Sequence, residues 1–389
     1  MTQLRLTVFL FLGCAVIAGA EPYSLEVLPL EHEEATDPRS GVTLLYLTTD
    51  PADDVNLYFH ERSWLADGSL IVFNSNRESG GLMGYLTSTG ELVRFHSAAG
   101  GFTSATAADK GARIWAMRGA AVLELCIAID SSVSPSKVTI DERLVCTLPE
   151  ANGYTALSES ADGMRLALGV TGLPDNGDPA IFTIDIKTGE FRVLCRVGEE
   201  PGYGGHVQWS RTDPNVLSFA GQFPRLQLVD IRDGLPRSVY AQREDELVTH
   251  ESWWVKGQMI FTGGLHPEPT EDSHVKLLNP DTGEVRVVGV GAWWPGGEDE
   301  AIAKQNHWHA SGSPDGRWIA SDNWHGDITL FEAKTTRPYE LTLGHRVYGG
   351  GSHPHVGWDR AGKQVIFTSY KRGDANVCIA TIPEGWSSE

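Results

Sequence analysis

The chain has 389 residues and a formal net charge of −20. This charge argues against nucleic acid and against an anionic membrane as partners, because both are negatively charged themselves. The 43 glycines and 12 tryptophans, together with recurrent Asp-Gly and Thr-Gly turn dipeptides, favour many short strands over helices.

Residues 1–20 differ from the rest of the chain. Arg5 precedes an apolar run that ends in Ala18-Gly19-Ala20, an order typical of a cleaved secretory signal peptide. We therefore expect a periplasmic or secreted protein, and Cys14 offers a lipoprotein site as the less favoured alternative. No other stretch is long and apolar enough to predict insertion into a membrane.

After an extended lead-in over residues 21–41, a unit of about forty to fifty residues repeats, which is the period of a β-propeller blade. Each unit contains a histidine-rich or aromatic strand, a turn such as Pro-Asp-Gly, two apolar strands and a short last strand. The units begin near residues 57, 103, 154, 205, 249, 306 and 352.

The seventh unit has only three predicted strands, whereas a spare strand, Val42 to Thr48, precedes the first unit. Pairing this strand with the last blade would close the ring and remove free sheet edges. The pattern predicts an all-β fold: a seven-bladed β-propeller whose last blade is closed by an N-terminal strand. We expect residues 42–386 to form this propeller as a single catalytic domain with four-stranded blades.

Four cysteines follow the predicted signal peptide: Cys126, Cys146, Cys195 and Cys378. Their spacing is not that of a zinc site. Cys126 and Cys146 lie in neighbouring predicted strands and could pair in an oxidising compartment. Four separate buried thiols are the alternative.

Histidines recur where the first strands of the units begin, which in a propeller is one mouth of the central channel. They are His60, His206, His250, His307, His309, His353 and His355. His353 and His355 are two residues apart in a predicted strand and should face the same side. With His309 of the preceding blade, they would offer three imidazoles to a divalent metal ion. A polar channel wall that holds water is the alternative.

Two further residues suit catalysis at that mouth. His250 lies one blade from His309 and is a candidate general base, because an imidazole titrates near neutrality. Arg225, just before the third strand of the fourth unit, could bind a carboxylate with its planar guanidinium. The chain contains no G-x-S-x-G motif and no Walker loop.

These motifs resemble those of oligogalacturonate lyase, a seven-bladed propeller polysaccharide lyase. The likeness spans most of the chain and is strongest from about residue 200 onward. The segments that carry it are Leu57-Tyr58-Phe59, Gly205-His206, Pro224-Arg225-Leu226, Thr249-His250-Glu251, His309 ahead of Asp315-Gly316, and His353-Pro354-His355.

The resemblance implies a metal, usually manganese in that family, held by His309, His353 and His355; calcium or zinc are the alternatives. The family's fourth ligand is a glutamine whose position falls here on Gly350. Another group would have to replace it: Gln305, Asn306, His307 or a water.

The resemblance also implies the catalytic and substrate-binding residues. His250 matches the family's general base, and Arg225 matches its carboxylate-binding arginine. His206, Tyr58 and His60 are the further substrate-binding candidates, because they lie in matching stretches or at the same channel mouth.

The expected function is an exported lyase that cleaves uronic-acid-containing glycans of the oligogalacturonate or pectin type by metal-assisted β-elimination. Its partner would be an acidic oligosaccharide or polysaccharide. Oligogalacturonate lyases typically act in the cytoplasm, whereas this chain has a predicted signal peptide, so an ulvan-type uronate lyase is an alternative. A non-catalytic periplasmic scaffold that resembles TolB is the other alternative, and the clustered histidines argue against it.

Overall fold

The computed structural model describes residues 22–386, except for 79, 98, 175–176, 199–202, 266–272, 292–305 and 347–349. The predicted signal peptide, 1–20, lies outside this part. Within it, almost all regular structure is β-strand, with a short 3-10 turn at Val255–Gly257. The described residues include no helix with the length and apolar character needed to cross a membrane.

Seven antiparallel sheets surround a central channel, which confirms the predicted seven-bladed propeller. The first three blades, each from the channel outward, are formed as follows. Blade one contains Asp54–Asn56, Leu70–Ser75, Gly81–Leu86, Leu92–Arg94 and Glu26–Leu28; blade two contains Ser104–Ala107, Arg113–Arg118, Ala121–Asp130, Lys137–Thr147 and Tyr23–Ser24; blade three contains Gly153–Tyr154 with Ser158–Glu159, then Arg165–Thr171, Ala180–Asp185 and Phe191–Arg196.

The other four blades lie in the same order along the chain. Blade four contains Gly205–Trp209, Val216–Ala220, Leu226–Asp230 and Arg237–Ser238; blade five contains Thr249–Trp253, Met259–Gly263, His274–Leu278 and Val285–Gly289; blade six contains His307–Gly312, Trp318–Asn323, Ile328–Glu332 and Pro338–Thr342; blade seven contains Gly357–Trp358, Gln364–Ser369, Asn376–Thr381, Thr43–Tyr46 and Glu33–Thr36. A small hairpin, His96–Ser97 with Gly100–Gly101, stands apart from the blades.

The core lies between the blades. Among the described residues, one cluster of buried apolar side chains fills each interface between neighbouring blades. A blade is covered on both faces, so its second strand needs apolar side chains at consecutive positions. Trp318–Asn323 is buried along its whole length, and Gln364–Ser369 is buried at all but its first residue.

The N-terminal strand closes the ring as predicted. Thr43–Tyr46 pairs with Asn376–Thr381, and Leu45 lies opposite Ile379. Leu44 is 2% exposed in the interface between blades six and seven. The last blade is therefore built from both ends of the chain.

The lead-in also contributes strands, so the expectation of four-stranded blades is wrong for three of them. Tyr23–Ser24, Glu26–Leu28 and Glu33–Thr36 become the outermost strands of blades two, one and seven. These segments are polar or very short, and nothing in their own periodicity predicts pairing. Their partners are the outer edges of sheets, where unpaired backbone groups accept an added strand.

The four cysteines in the described part are free thiols. Cys126 lies opposite Asp141 and Cys146 lies opposite Val122 in the same pair of strands, so the two side chains are at different levels of the sheet. The pairing alternative is therefore wrong. The alternative of separate thiols is confirmed, and three of them are buried as expected, whereas Cys126 is partly exposed.

Candidate metal and catalytic site

The first strands of blades four, five and six each contain a β-bulge at their start. One extra residue lies between Gly205 and Gln208, between Thr249 and Ser252, and between His307 and Ala310. A bulge bends its strand and redirects the side chains in it. His206 and His250, within two of these bulges, have left-handed φ angles of 49° and 52°. This backbone conformation is strained for a residue with a side chain and is enriched at functional sites.

His353 and His355 do not lie in a strand, because the first strand of blade seven begins at Gly357. The expectation that they share one strand face is therefore wrong, and His355 has a φ of 53°. The rings of both histidines nevertheless lie close to the ring of His309. The ring centroids of His353 and His355 lie 5.1 and 4.5 Å from that of His309.

A set of metal-ligating atoms lies where these segments meet. One donor atom each from His309, Asp322 and His353 falls within 4.8 Å of the others. Asp322 belongs to the second strand of blade six, and both oxygens of its carboxylate lie near Nδ1 of His309, at 3.2 and 3.0 Å. His353 Nδ1 is 3.8 Å from Asp322 Oδ2.

The electrostatics of this cluster fit a bound cation. Asp322 is completely buried, and burial raises the pKa of its carboxyl, although His353, His355 and backbone N–H groups act in the opposite direction. Nδ1 of His353 is buried and has no hydrogen-bond partner among the described residues. Two imidazoles and a carboxylate are a common ligand set for divalent transition metals.

Asp322 also orients the histidines. Its carboxylate accepts hydrogen bonds from the backbone N–H groups of His309, at 2.7 Å, and His355, at 3.3 Å. While the carboxylate is ionised it can only accept hydrogen bonds, so the proton of the neutral His309 ring lies on Nδ1. Nε2 then keeps its lone pair for a metal ion. Asp322 thus fixes both the ring orientation and the tautomer of His309.

The sequence-based ligand set contained His309, His353 and His355 but not Asp322. Gly350 has no side chain to replace the glutamine of the resembling family, and Gln305 lies outside the described residues. The structure brings the Asp322 carboxylate to the cluster and places His355 at its border. The available sequence signal for Asp322 was its carboxylate within the strand Trp318–Asn323. An ionisable residue rarely occupies a buried strand without a partner.

The side chain of His307 points away from the metal-ligating cluster. Its ring packs on Phe331 at a centroid distance of 5.1 Å, and its Nε2 lies 3.3 Å from the carbonyl oxygen of Val290. His307 and His309 are two residues apart, but the bulge between them gives the side chains different directions. His307 therefore packs within blades five and six.

His250 lies beside the cluster. Its ring centroid is 4.1 Å from that of His309 and 4.8 Å from Trp308. Burial lowers the pKa of His250 well below its usual value, and the nearby His309, His206 and Arg225 add to the effect. The imidazole is therefore neutral at physiological pH, which is the form that can accept a proton.

Arg225 belongs to a buried polar group with Glu251 and His206. Its Nε donates to Glu251 Oε2 at 3.0 Å, and its Nη2 lies 3.3 Å from His206 Nδ1. Glu251 is completely buried; burial alone would raise its pKa, but Arg225 and His206 hold the pKa below its usual range. Arg225 is thereby fixed with one edge of its guanidinium on Glu251, and its Nη1 has no hydrogen-bond partner within the part of the chain that the structure describes.

Tyr58 lies at the centre of the histidine group. Its ring centroid is 4.8 Å from His355, 5.5 Å from His206 and 5.7 Å from His309. His60 is 5.4 Å from His206, and burial followed by the charge of His206 lowers the pKa of His60 to about 3. Both predicted substrate-binding residues thus contact the group around the site.

Two residues at this mouth were not foreseen from the sequence. Tyr203 is half-exposed, has a left-handed φ of 65°, and its ring lies 5.5 Å from the guanidinium carbon of Arg225. A Cβ atom at Gly205 would come within 2.6 Å of the Tyr203 ring, so a larger residue there would require this ring to move. Arg346 lies over Trp324 at 5.4 Å and supplies a second guanidinium near the histidines.

The fold and the site together define a class: a seven-bladed propeller with a buried histidine and carboxylate cluster at one channel mouth. No protein-family model matches the chain, and no curated protein matches its sequence. The chain is structurally similar to oligogalacturonate lyases. One of these, in complex with manganese, has a TM-score of 0.74 and 19% identity, over 93% of this chain and 99% of that one.

An oligogalacturonate lyase from Vibrio parahaemolyticus matches with a TM-score of 0.72 and 18% identity, over 94% of this chain and 100% of that one. A puromycin hydrolase S511A mutant matches more weakly, with a TM-score of 0.53 and 13% identity, over 90% of this chain and 59% of that one. At these identities the likeness demonstrates a shared fold, and an argument about function has to rest on the site.

Proposed function

We propose that this protein is an exported lyase that cleaves uronic-acid-containing glycans, of the oligogalacturonate or pectin type, by metal-assisted β-elimination. The observation that carries the proposal is the position of His250, a buried neutral imidazole 4.1 Å from the His309 ring of a metal-ligating cluster. The signal peptide predicted from residues 1–20 supports export to the periplasm or beyond.

The residues fit the chemistry of elimination next to a carboxylate. The proton on carbon 5 of a uronate is weakly acidic because its removal places further negative charge beside the carboxylate. His250 takes this proton, the electrons of the C–H bond form a double bond between carbons 4 and 5, and the bond from carbon 4 to its glycosidic oxygen breaks. The glycosidic oxygen leaves with the electron pair of the broken C–O bond and takes up a proton.

Arg225 binds the substrate carboxylate in this proposal. Glu251 and His206 fix its guanidinium, so little conformational entropy is lost when the ligand binds. The charge of Arg225 favours the anion that develops as carbon 5 loses its proton. Tyr58 and His206 border the same space and contact the sugar.

His309, Asp322 and His353, with His355 beside them, are the residues that would hold the metal. When bound, a divalent cation, preferably manganese, would offset the negative charge of the substrate carboxylate. Calcium and zinc are alternatives, although two nitrogen ligands favour a transition metal over calcium. The similar manganese-containing oligogalacturonate lyase supports the choice of manganese.

The experiment is an elimination assay on purified protein with oligogalacturonates, polygalacturonate and ulvan, with and without a chelator. Formation of the unsaturated product is followed by its ultraviolet absorbance. Metal-dependent product from galacturonate polymers supports the proposal, whereas product from ulvan alone would favour the ulvan-type lyase. No product from any of the three, with metal supplied, would overturn the proposal in favour of a binding protein.

A further inference from the structure

A second cavity lies at the channel mouth opposite the histidines. Its volume is about 420 Å³, within the usual range for small-molecule sites. The wall is formed by residues that directly follow the first strands, including Asp109, Arg211, Trp254 and Arg360. The histidines belong to the opposite ends of the same strands, so the two sites occupy opposite mouths of the channel.

A loop of blade one separates the two sites. In blade one, Asn56 pairs with Phe73 and Trp64 pairs with Ile71. The seven residues 57–63 between them therefore lie opposite a single residue, Val72, and must bulge into the channel. Phe59 in this loop contacts the ring of His309, at a centroid distance of 5.4 Å, and also lines the second cavity. His60, 5.4 Å from His206, lines the second cavity as well, so Phe59 and His60 lie between the two sites and border both.

Arg62 and Arg360 lie beside one carboxylate in this cavity. Arg62 Nη2 lies 2.7 Å and Arg360 Nη1 lies 3.6 Å from Asp109 Oδ1. Burial, followed by the charge of Arg62, lowers the pKa of Arg360 to about 10, although Asp109, Glu159 and Asp67 act in the opposite direction. Nε and Nη2 of Arg360 also donate to the carbonyl oxygens of Trp64 and Ala108, so this guanidinium is held within the wall.

A third guanidinium in the wall is exposed. Arg211 lines the same cavity and has no hydrogen bond or ion pair within the described part of the chain. The wall also contains the carboxyl of Asp359, which accepts from backbone N–H groups of its own turn, and that of Glu61, whose pKa burial raises to about 7. Arg211 is therefore the group in this wall that is placed to pair with an anion from solvent.

The apolar part of the wall is aromatic. The indole N–H groups of Trp253, Trp254 and Trp358 all donate to backbone carbonyl oxygens, at 3.2, 2.8 and 3.0 Å. Their hydrogen-bonding capacity is therefore used. Trp253 and Trp254 are buried in the core, and Trp358, which is partly exposed, offers ring surface to a ligand. Aromatic surface beside a guanidinium suits a ligand with an apolar ring face and a negatively charged substituent.

We propose that this cavity is a second binding site, for a small sugar acid. The carboxylate would pair with Arg211 and with Arg62, and the sugar ring would pack against Trp358. The inference rests on the cavity's own residues and goes beyond the proposed lyase activity. It requires no chemistry at the histidine mouth.

The test is isothermal titration of the full-length protein with galacturonate, galactose and acetate. Galacturonate is expected to bind, whereas galactose lacks the carboxylate and acetate lacks the ring. Arg211→Gln should weaken galacturonate binding about tenfold or more, the loss expected for one charge-assisted contact. Because Arg211 is exposed, this variant should keep the thermal stability of the parent protein.

A second variant and a background variant complete the design. Arg62→Gln removes the second guanidinium proposed to pair with the carboxylate, so it should also weaken binding. Both losses should recur in an Arg225→Gln background, which removes the candidate carboxylate contact at the histidine mouth; a failed lyase assay would therefore leave this test intact. The proposal is overturned if acetate or galactose binds as well as galacturonate, or if neither Arg62→Gln nor Arg211→Gln weakens binding.

Discussion

At the scale of single residues, the proposed lyase activity depends on the neutral state of His250. His250→Ala removes the proposed base without touching the donor atoms of the metal cluster. We expect turnover to fall by about a hundredfold or more, the usual scale for a positioned general base, while metal content by elemental analysis stays unchanged. His96→Ala, at an exposed histidine of the separate hairpin, is the matched control.

Two outcomes would change this assignment. Near-normal turnover in His250→Ala would transfer the base to another residue, with His206 and Tyr58 next in line. Loss of metal in the same variant would make His250 a ligand. The ligand set of His309, Asp322 and His353 would then need to be revised.

Asp322 provides a second prediction at this scale. Asp322→Asn keeps the shape of the side chain but removes the charge and replaces one of the two oxygens near His309 Nδ1 by an NH2 donor. Metal affinity should fall by about 10- to 100-fold, as for other residues that orient ligands, whereas His353→Ala should abolish tight binding. Elemental analysis after gel filtration measures both, with Asp327→Asn on the same blade as the carboxylate control. Unchanged metal content in both cluster variants would contradict the proposed site.

At the scale of elements, the regular part of the site could be predicted and the irregular part could not. The repeat placed His206, His250 and His309 at the starts of first strands because blade period and turn residues are local signals. Bulges depend on the register between two strands, which no single strand encodes. Asp322 was missed for a related reason: it reaches the site from a second strand, across a bulge in the first.

The hairpin of the lead-in gives a stability prediction. Asp37 lies between Glu33–Thr36 and Thr43–Tyr46 and is 1% exposed. Burial would raise its pKa, but hydrogen bonds from Ser40, Arg39, Leu343 and Thr342 outweigh this and lower it. A lowered pKa means that the folded state favours the carboxylate, so this stabilisation exists above the unfolded-state pKa of about 4 and is lost as the pH falls below it.

Asp37→Asn should therefore reduce the free energy of unfolding by about 1–3 kcal/mol at neutral pH, the range for a buried charge-assisted group. The difference from the parent should shrink as the pH falls below about 4. Urea unfolding at several pH values measures both effects. Asp281→Asn, in an exposed turn of blade five, is the control and should change stability by less than about 0.5 kcal/mol. A difference that does not change with pH would show that charge plays no part.

At the scale of the whole molecule, closure of the ring was predictable because a missing strand in the last blade matched a spare strand at the start. The outer strands from residues 22–41 were not predictable. Polar segments such as Glu33–Thr36 form strands only because the unpaired backbone groups of a sheet edge are available to hydrogen-bond with them. Ring closure also holds the two mouths of the channel at a fixed separation. Opposite ends of the same first strands can therefore carry different chemistry.

The net charge of −20 gives the last prediction, which belongs to the molecule as a whole. An acidic oligosaccharide approaching this protein is repelled at long range, although Arg225 and a bound cation attract it close to the site. At about 0.01 M salt the Debye length is about 30 Å, so the overall charge dominates the approach; at about 0.15 M it is about 8 Å, and the local attraction remains. The value of kcat/KM should therefore rise with ionic strength over this range, while kcat stays nearly constant. Steady-state kinetics with an oligogalacturonate at several salt concentrations measures both. A fall in kcat/KM would mean that the local positive charge already governs the encounter at long range.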